Sequence, residues 1–236
     1  MNLLLLRRLH KWVGLVLGLQ LVIWTISGAA MAWIDHHAVA GEGLSVEQPV
    51  RHDDTPAAPM ETLIRTAGSS QAEGLRTFFV DGRQVTEMAT PKGRLLLDAS
   101  TGAPIFIDKD KAMAIARGAY AGEGQVGGVV HHATPPLEAR NASGSLWAVA
   151  FDDKPKTTFY ISQATGEIVE QRSRAYRAWD FFWMLHNMDY ANRSSFNHPL
   201  IIAAALGSVW IALTGVLLLF KVFRASDFTR LARWRT

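Results

Sequence analysis

The 236-residue chain contains no cysteine, and that absence removes several chemistries at once. Disulfides, thiolate zinc sites, iron–sulfur clusters, a cysteine nucleophile and covalent c-type haem attachment all need that residue. Charge is scarce as well: 19% of positions are Asp, Glu, Lys or Arg, against about a quarter in an ordinary soluble domain. A formal charge of +3 is too small for a nucleic-acid surface, so no nucleic-acid partner is expected. No glycine-rich phosphate loop follows a strand pattern, and no Ser-His-Asp arrangement is legible. Nucleotide-binding and hydrolase readings therefore lack support.

What the chain does have is two long uncharged runs. Residues 12–34 read WVGLVLGLQLVIWTISGAAMAWI, and residues 199–220 read PLIIAAALGSVWIALTGVLLLF. The first reaches about 34 Å as a helix, enough to cross a hydrocarbon core of about 30 Å. Pro199 is well placed at a first helical position, where an amide would lack a partner anyway. Arg7, Arg8 and Lys11 precede the first run; Lys221, Arg224, Arg230, Arg233 and Arg235 follow the second. The positive-inside rule then puts both termini in the cytoplasm and residues 35–198 outside, in a bacterium the periplasm. Trp12, Trp33, Trp179, Phe181, Phe182 and Trp183 are expected near the interfaces. The alternative is a cleaved secretory signal ending at Ala30-Met31-Ala32. The run ahead of that site is longer than a signal core, and a second run follows, which favours two spans.

Between the runs a pattern occurs twice. After a stretch rich in Pro, Gly and acidic residues, placed as a linker over 37–56, PMETLIRTAGS has a helical period. The segments LRTFFVDG, QVTEMA and RLLLDASTGAPIFI that follow are strand-like. KDKAMAIARGA is helical again, with Met113, Ile115 and Ala116 on one face. It is followed by GQVGGVVHH, SLWAVAFDD and TTFYISQATGEIVEQR, where Thr158, Tyr160 and Gln163 alternate with buried-type neighbours. Each copy holds a Thr-Gly turn, and Gly102 and Gly166 lie 64 residues apart, where a tight hairpin needs positive φ. The predicted fold is membrane α-helical with two transmembrane helices, plus an α+β extracytoplasmic domain of two helix-on-antiparallel-sheet units. Its parts are residues 1–36 (N-terminus and first span), 37–56 (linker), 57–108 and 109–174 (the two units), 175–198 (an interfacial aromatic segment), 199–223 (second span) and 224–236 (a basic tail).

Ionisable groups at a membrane border are costly, so a histidine there is a functional candidate. Five qualify: His10, His36, His37, His186 and His198. His10, Gly14 and Gly18 recur at i, i+4 and i+8 on one helical stripe. An imidazole heading a glycine groove suits a porphyrin lying along the helix. The same residues also suit a Gly-x-x-x-Gly packing motif with His10 hydrogen-bonded at the interface. At the outer side His186 shares a helical face with Trp179, Phe182 and Trp183, and it and His198 are better placed than His36 or His37. Adjacent histidines point apart, so at most one of that pair can serve. His131-His132 reads as the end of a surface strand, because no third ligand lies nearby. Ser27 and Thr214, each before a glycine, suit close helix approach and bonding to their own carbonyls.

The string Arg8-Leu9-His10-Lys11-Trp12-Val13-Gly14-Leu15, with Ser27-Gly28, Leu185-His186 and Leu213-Thr214-Gly215-Val216, resembles the PepSY-associated transmembrane helix family over residues 7–223. The Thr-Gly hairpin behind an Ala-rich helix resembles the PepSY domain itself. Where family members commonly have glycine soon after the second histidine, this chain reads His186-Asn187-Met188. Some members are siderophore-iron reductases that carry b-type haem, often with four spans. The resemblance thus implies an inner-membrane haem b protein with bis-His ligation, moving electrons across the bilayer. His10 would hold the inner iron. His198 and His186, or one of His36 and His37, would hold the outer one, with Gly14 and Gly18 lining the group. The donor would be a quinol or a cytoplasmic reductant, and the acceptor a ferric siderophore or another periplasmic oxidant. Two spans, and no histidine at the inner end of the second, imply a homodimer. Two alternatives stand beside this: a cofactor-free membrane-anchored binding or regulatory module, and an accessory subunit of a larger membrane complex.

Overall fold

The structure is a computed structural model that describes residues 3–46, 57–68, 73–80, 82–91 and 93–222. It falls into two units, one of residues 1–33 with 180–236 and one of residues 34–179. His52, the linker from 47 to 56 and the basic tail 224–236, with Arg224, Arg230, Arg233 and Arg235, lie outside the described residues.

The first unit is built on two helices, α1 (Leu3–Trp33) and α6 (Pro199–Val222). They reach about 46 and 36 Å. α1 starts well before the uncharged run, so Arg7, Arg8 and Lys11 ride on its first turns. Pro199 opens α6, as its missing amide allows. Leu15, Val16, Leu19, Leu206, Leu213 and Phe220 are all exposed. A core helix of a soluble protein would hide such side chains, whereas hydrocarbon solvates them, and both helices are membrane spans by length and composition. They pack antiparallel: His10 meets Thr214, Gly14 meets Ile211 and Leu17 meets Gly207. A Cβ on Gly207 would stand 3.1 Å from Leu17 Cδ1, so a bare backbone there lets Leu17 seat.

The helix α5 (Arg174–Asn187) runs from one unit into the other, and its residues 180–187 belong with the spans. The sequence pattern points to an aromatic face through Trp183 and His186. The deepest residues are instead Asp180 and Asn187, seven apart on one stripe. Asp180 lies there because Arg193 neutralises it at 2.7 Å. Trp183 packs edge-on against Phe196, ring centroids 4.9 Å apart.

The second unit is α+β. Its short helix α2 (His36–Ala40) is capped by the Asp35 carboxylate, which accepts from His37 N at 3.0 Å. The chain then turns through Gly41 and bridges Ser45 to Tyr120. Residues 36–46, placed by composition in or beside a linker, are thus held by backbone pairing to the end of a later helix.

Helix α3 (Met60–Ala67) precedes a three-stranded antiparallel sheet, β1 (Gly74–Val80), β2 (Arg83–Thr90) and β3 (Gly93–Asp98), in the order β1-β2-β3. Helix α4 (Lys109–Ala119), capped by Asp108, precedes a four-stranded sheet. Its strands β4 (Gln125–His132), β5 (Leu146–Asp152), β6 (Thr158–Ser162) and β7 (Ile168–Arg172) lie in sequence order.

Strand alternation divides the core. The register sets Thr86 opposite Leu97, so Leu97 and Met88 share a face, and Leu63 of α3 covers it. Val85 and Leu96 point the other way, into one cluster with Ile115 and Ala116 of α4 and Val149, Phe159 and Ile161 of the larger sheet. The two copies therefore share their main core. The face of α4 that is buried is Ala112, Ile115, Ala116 and Ala119.

Strand β6 shows no alternation, contrary to the pattern in the sequence: all five residues are buried. It is central, with α4 on one face and a segment around a 3-10 turn (Leu137–Ala139) on the other. There Ala139, Leu146, Ala148 and Tyr160 form a second cluster. Glu138 fastens that segment, taking Arg177 Nε at 2.7 Å and Tyr160 Oη at 3.1 Å.

The hairpin repeat is exact in its hydrogen bonds. Gly102 N donates to Asp98 O and Gly166 N to Ser162 O, both at 2.8 Å. Asp98 N reaches Ala103 O at 2.8 Å and Ser162 N reaches Glu167 O at 2.9 Å. Gly102 has φ +71° and Gly166 φ +74°, as the turn demands. The caps differ: Asp98 Oδ1 gathers the amides and hydroxyls of Ser100 and Thr101, whereas Ser162 Oγ accepts from Thr165 N at 3.2 Å.

Two outcomes follow. A Cβ on Gly166 would stand 3.0 Å from Val80 Cγ1 and 3.1 Å from Ile107 Cδ1; one on Gly144, also at positive φ, would meet nothing. Gly166→Ala should destabilise by about 3 kcal/mol and Gly144→Ala by about 1, since only the first adds overpacking to backbone strain. Denaturation of the full chain in detergent, read from the strand signal in circular dichroism, checks this. The Asp98 carboxyl is held below its ordinary value of 3.8, chiefly by the Ser100 hydroxyl and then by the Thr101 amide. Its contribution to stability is complete above that ordinary value and is lost as pH falls through the depressed one. Asp98→Ser, the residue of the other copy, should flatten that part of the acid limb.

Candidate functional site

Two clusters in the span unit share one plan. In the first, His10 of α1 sets Nδ1 2.7 Å from Thr214 Oγ1 on α6, and its ring lies over Gly215, where an added Cβ would be 3.4 Å from His10 Cε1. In the second, His186 of α5 sets Nδ1 3.1 Å from Ser27 Oγ on α1, over Gly28, again 3.4 Å from the position of a Cβ. Each imidazole has a tryptophan at 6.5 Å between centroids, Trp210 in one case and Trp24 in the other. Ser27 and Thr214 are almost wholly buried. Ser27 lies 17 residues beyond His10 on the same helix, so the clusters are separated by about 26 Å along it.

The hydroxyls decide the tautomers. Thr214 Oγ1 donates to Trp210 O at 2.8 Å, with Ile211 O at 3.2 Å; Ser27 Oγ donates to Ile23 O at 2.7 Å, with Trp24 O at 3.2 Å. A hydroxyl has a single proton. With that proton held by its own helix, each oxygen can only accept from the imidazole. Nδ1 therefore carries a hydrogen in both His10 and His186, and Nε2 has no hydrogen-bond partner among the described residues. A neutral imidazole held at Nδ1–H and open at Nε2 is the form that ligates a metal.

The other candidates are arranged differently. His198 Nε2 stands 2.7 Å from Asn187 O; a carbonyl only accepts, so this nitrogen is protonated and committed to the end of α5. His36 and His37 belong to the other unit and are exposed. His37 pairs with Glu42 at 2.8 Å, and that hydrogen bond raises its pKa. His131 ends up on β4 as expected, tilted over Trp147 and bonded to Gln163. Among the described residues no three His, Cys, Asp or Glu side chains gather to hold a metal.

The glycine stripe separates into two roles. Gly14 is a packing position, with Ile211 Cδ1 3.6 Å from where its Cβ would be, while Gly18 has nothing within 4 Å. The imidazoles of His10 and His186 have the donor chemistry that would hold a haem iron. Beside His186, Asn187 is 1% exposed, yet neither its Oδ1 nor its Nδ2 has a partner among the described residues. Such an amide offers one donor and one acceptor to a polar substituent of a bound group.

Spacing along one chain could not find Thr214 as the partner of His10, or Ser27 as that of His186. The available signal was the recurrence of a tryptophan three or four residues before a Ser-Gly or Thr-Gly pair: Trp24 with Ser27-Gly28, and Trp210 with Thr214-Gly215.

Two apolar helices joined by the His10–Thr214 bond, in a chain that also carries a unit of two antiparallel sheets, define a membrane-protein class. Residues 7–236 match the family model of the PepSY-associated TM region, and the chain belongs to that family. No curated protein and no solved structure matches it.

Nitrogen-15 spectra of histidine-labelled protein should show His10 and His186 protonated at Nδ1 and His198 at Nε2. Thr214→Val should leave a buried Nδ1–H unpaired and lower stability by about 1–3 kcal/mol in detergent unfolding.

Proposed function

We propose that this chain is a b-type haem protein of the bacterial inner membrane, carrying electrons to a ferric acceptor such as a siderophore complex on the periplasmic side. The observation that carries the reading is the repeated imidazole: one near each end of the paired spans, fixed as the Nδ1–H tautomer, with Nε2 free. In this reading His10 serves the cytoplasmic face and His186 the periplasmic face, and both termini lie in the cytoplasm. A bound haem supplies one-electron redox chemistry. The chain's own part is to fix the ligands. Thr214 and Ser27 hold the rings by Nδ1–H, which keeps Nε2 basic and sets its direction. Gly215 and Gly28 let each ring lie against a neighbouring backbone. His198 is assigned a positioning role, since its Nε2–H closes the turn after α5.

Each level of one chain offers a single imidazole with a free Nε2. Bis-His ligation then takes its second ligand from another copy, and a homodimer through the spans is the simplest arrangement. The donor is a quinol or a cytoplasmic reductant. The competing reading is a cofactor-free anchored module in which the same bonds merely join helices; the contact of Gly14 with Ile211 is what supports it.

Reduced-minus-oxidised absorbance of membranes expressed with ample haem separates the two. The haem reading expects b-type bands, loss of part of the signal in His10→Ala and another part in His186→Ala, and an intact signal in His131→Ala. Thr214→Val should keep the bands while moving the midpoint potential of one component. A folded, colourless protein selects the anchored module, and a monomer with a full haem complement removes the dimer.

A further inference from the structure

The second unit contains a cavity that the electron-transfer reading does not use. It measures about 360 Å³ and lies between the smaller sheet, α4 and the segment after the first hairpin. Its wall is aliphatic: Val80, Val85, Leu96, Ile107 and Ile115. Val85, Leu96, Ile107 and Ile115 belong to the core shared by the two copies and are 1–5% exposed, so they form the floor of the cavity, with Val80 packed against them. Its rim is charged, with Arg83, Lys111 and Asp98.

These rim groups are not equivalent. Lys111 already gives one hydrogen to Phe106 O at 2.8 Å and lies 3.9 Å from Asp108. Asp98 Oδ1 is occupied by the turn that follows it. Arg83 makes no ion pair and no hydrogen bond among the described residues. The smaller sheet's other two arginines are paired: Arg76 bridges Glu87 and Glu167, and Arg94 also reaches Glu87. A guanidinium without a partner among the described residues, at the mouth of an aliphatic cavity with a rim charge of one net positive, complements an anion attached to an apolar body.

We propose that this cavity binds an amphipathic monocarboxylate, its hydrocarbon body among the aliphatic side chains and its carboxylate on Arg83. The volume corresponds to on the order of a dozen water-sized groups, which suits a body of roughly eight carbons. Two sources share this chemistry: a medium-chain fatty acid, and the free C-terminus of a peptide ending in branched aliphatic residues. The assignment does not depend on haem, so it stands or falls separately from the electron-transfer reading.

The test uses the full chain in lipid nanodiscs, titrated with octanoate by calorimetry against empty nanodiscs. Saturable binding is expected, with octanol at least about tenfold weaker and Arg83→Gln also weakened about tenfold. Because Arg83 is exposed, the variant should keep the wild-type melting temperature, which shows that the unit is folded. N-acetyl-leucyl-leucine and its amide form the second arm: the tighter of octanoate and the free dipeptide names the source, and the amide should bind weakly. The proposal is overturned if octanol matches octanoate, if Arg83→Gln binds as well as the wild type, or if no carboxylate saturates below on the order of 10 mM.

Discussion

A hydroxyl has one proton, and in each span of this protein the helix itself holds it. Ser27 and Thr214 bond back to carbonyls three and four residues earlier, so both oxygens are left as pure acceptors. Everything at the two clusters depends on that. It selects which ring nitrogen of His10 and His186 bears hydrogen, leaves the opposite nitrogen basic, and draws each ring onto the backbone of the following glycine. In hydrocarbon an unpaired donor is expensive, so the bond also locks the register of the helix pair. The anchored-module and haem readings therefore make the same geometry and differ only in occupancy.

The second unit rests on a different constraint, the positive φ of two glycines. Gly102 and Gly166 close the same turn with the same backbone bonds, while the side chains capping it have diverged from a carboxylate to a hydroxyl. Gly166 is further restricted because Val80 and Ile107 of the other copy press on it. The turn is thus also a joint, where one copy packs against its twin. This close approach explains why the copies share a core instead of folding as separate beads.

Much of this was legible in the residues. Absence of charge over two runs gave the spans, Pro199 marked the start of one, and Gly102 and Gly166 marked the turns. His10, His36, His37, His186 and His198 stood out together because imidazoles are rare at such borders. The partners were not legible, because period and spacing tell which face of a helix a residue occupies and nothing about what lies across from it. Gly14 and Gly18 form one stripe on paper, yet Ile211 covers only the first. Strand β6 fails the two-residue alternation since a segment some twenty residues earlier in the chain covers its second face. Asp180 and Asn187 were missed on α5 because a carboxylate reads as surface until the arginine that neutralises it is seen.

The two clusters are alike except in one methyl group. Threonine is β-branched, and its Cγ2 restricts the torsion that aims Oγ1, whereas serine swings more freely. The imidazole on Thr214 is therefore held at 2.7 Å by a stiff acceptor and that on Ser27 at 3.1 Å by a rotor. His186 thus has the longer of the two tethers. The β-branched acceptor is thus paired with the ring carried by α1, and the unbranched one with the ring carried by α5.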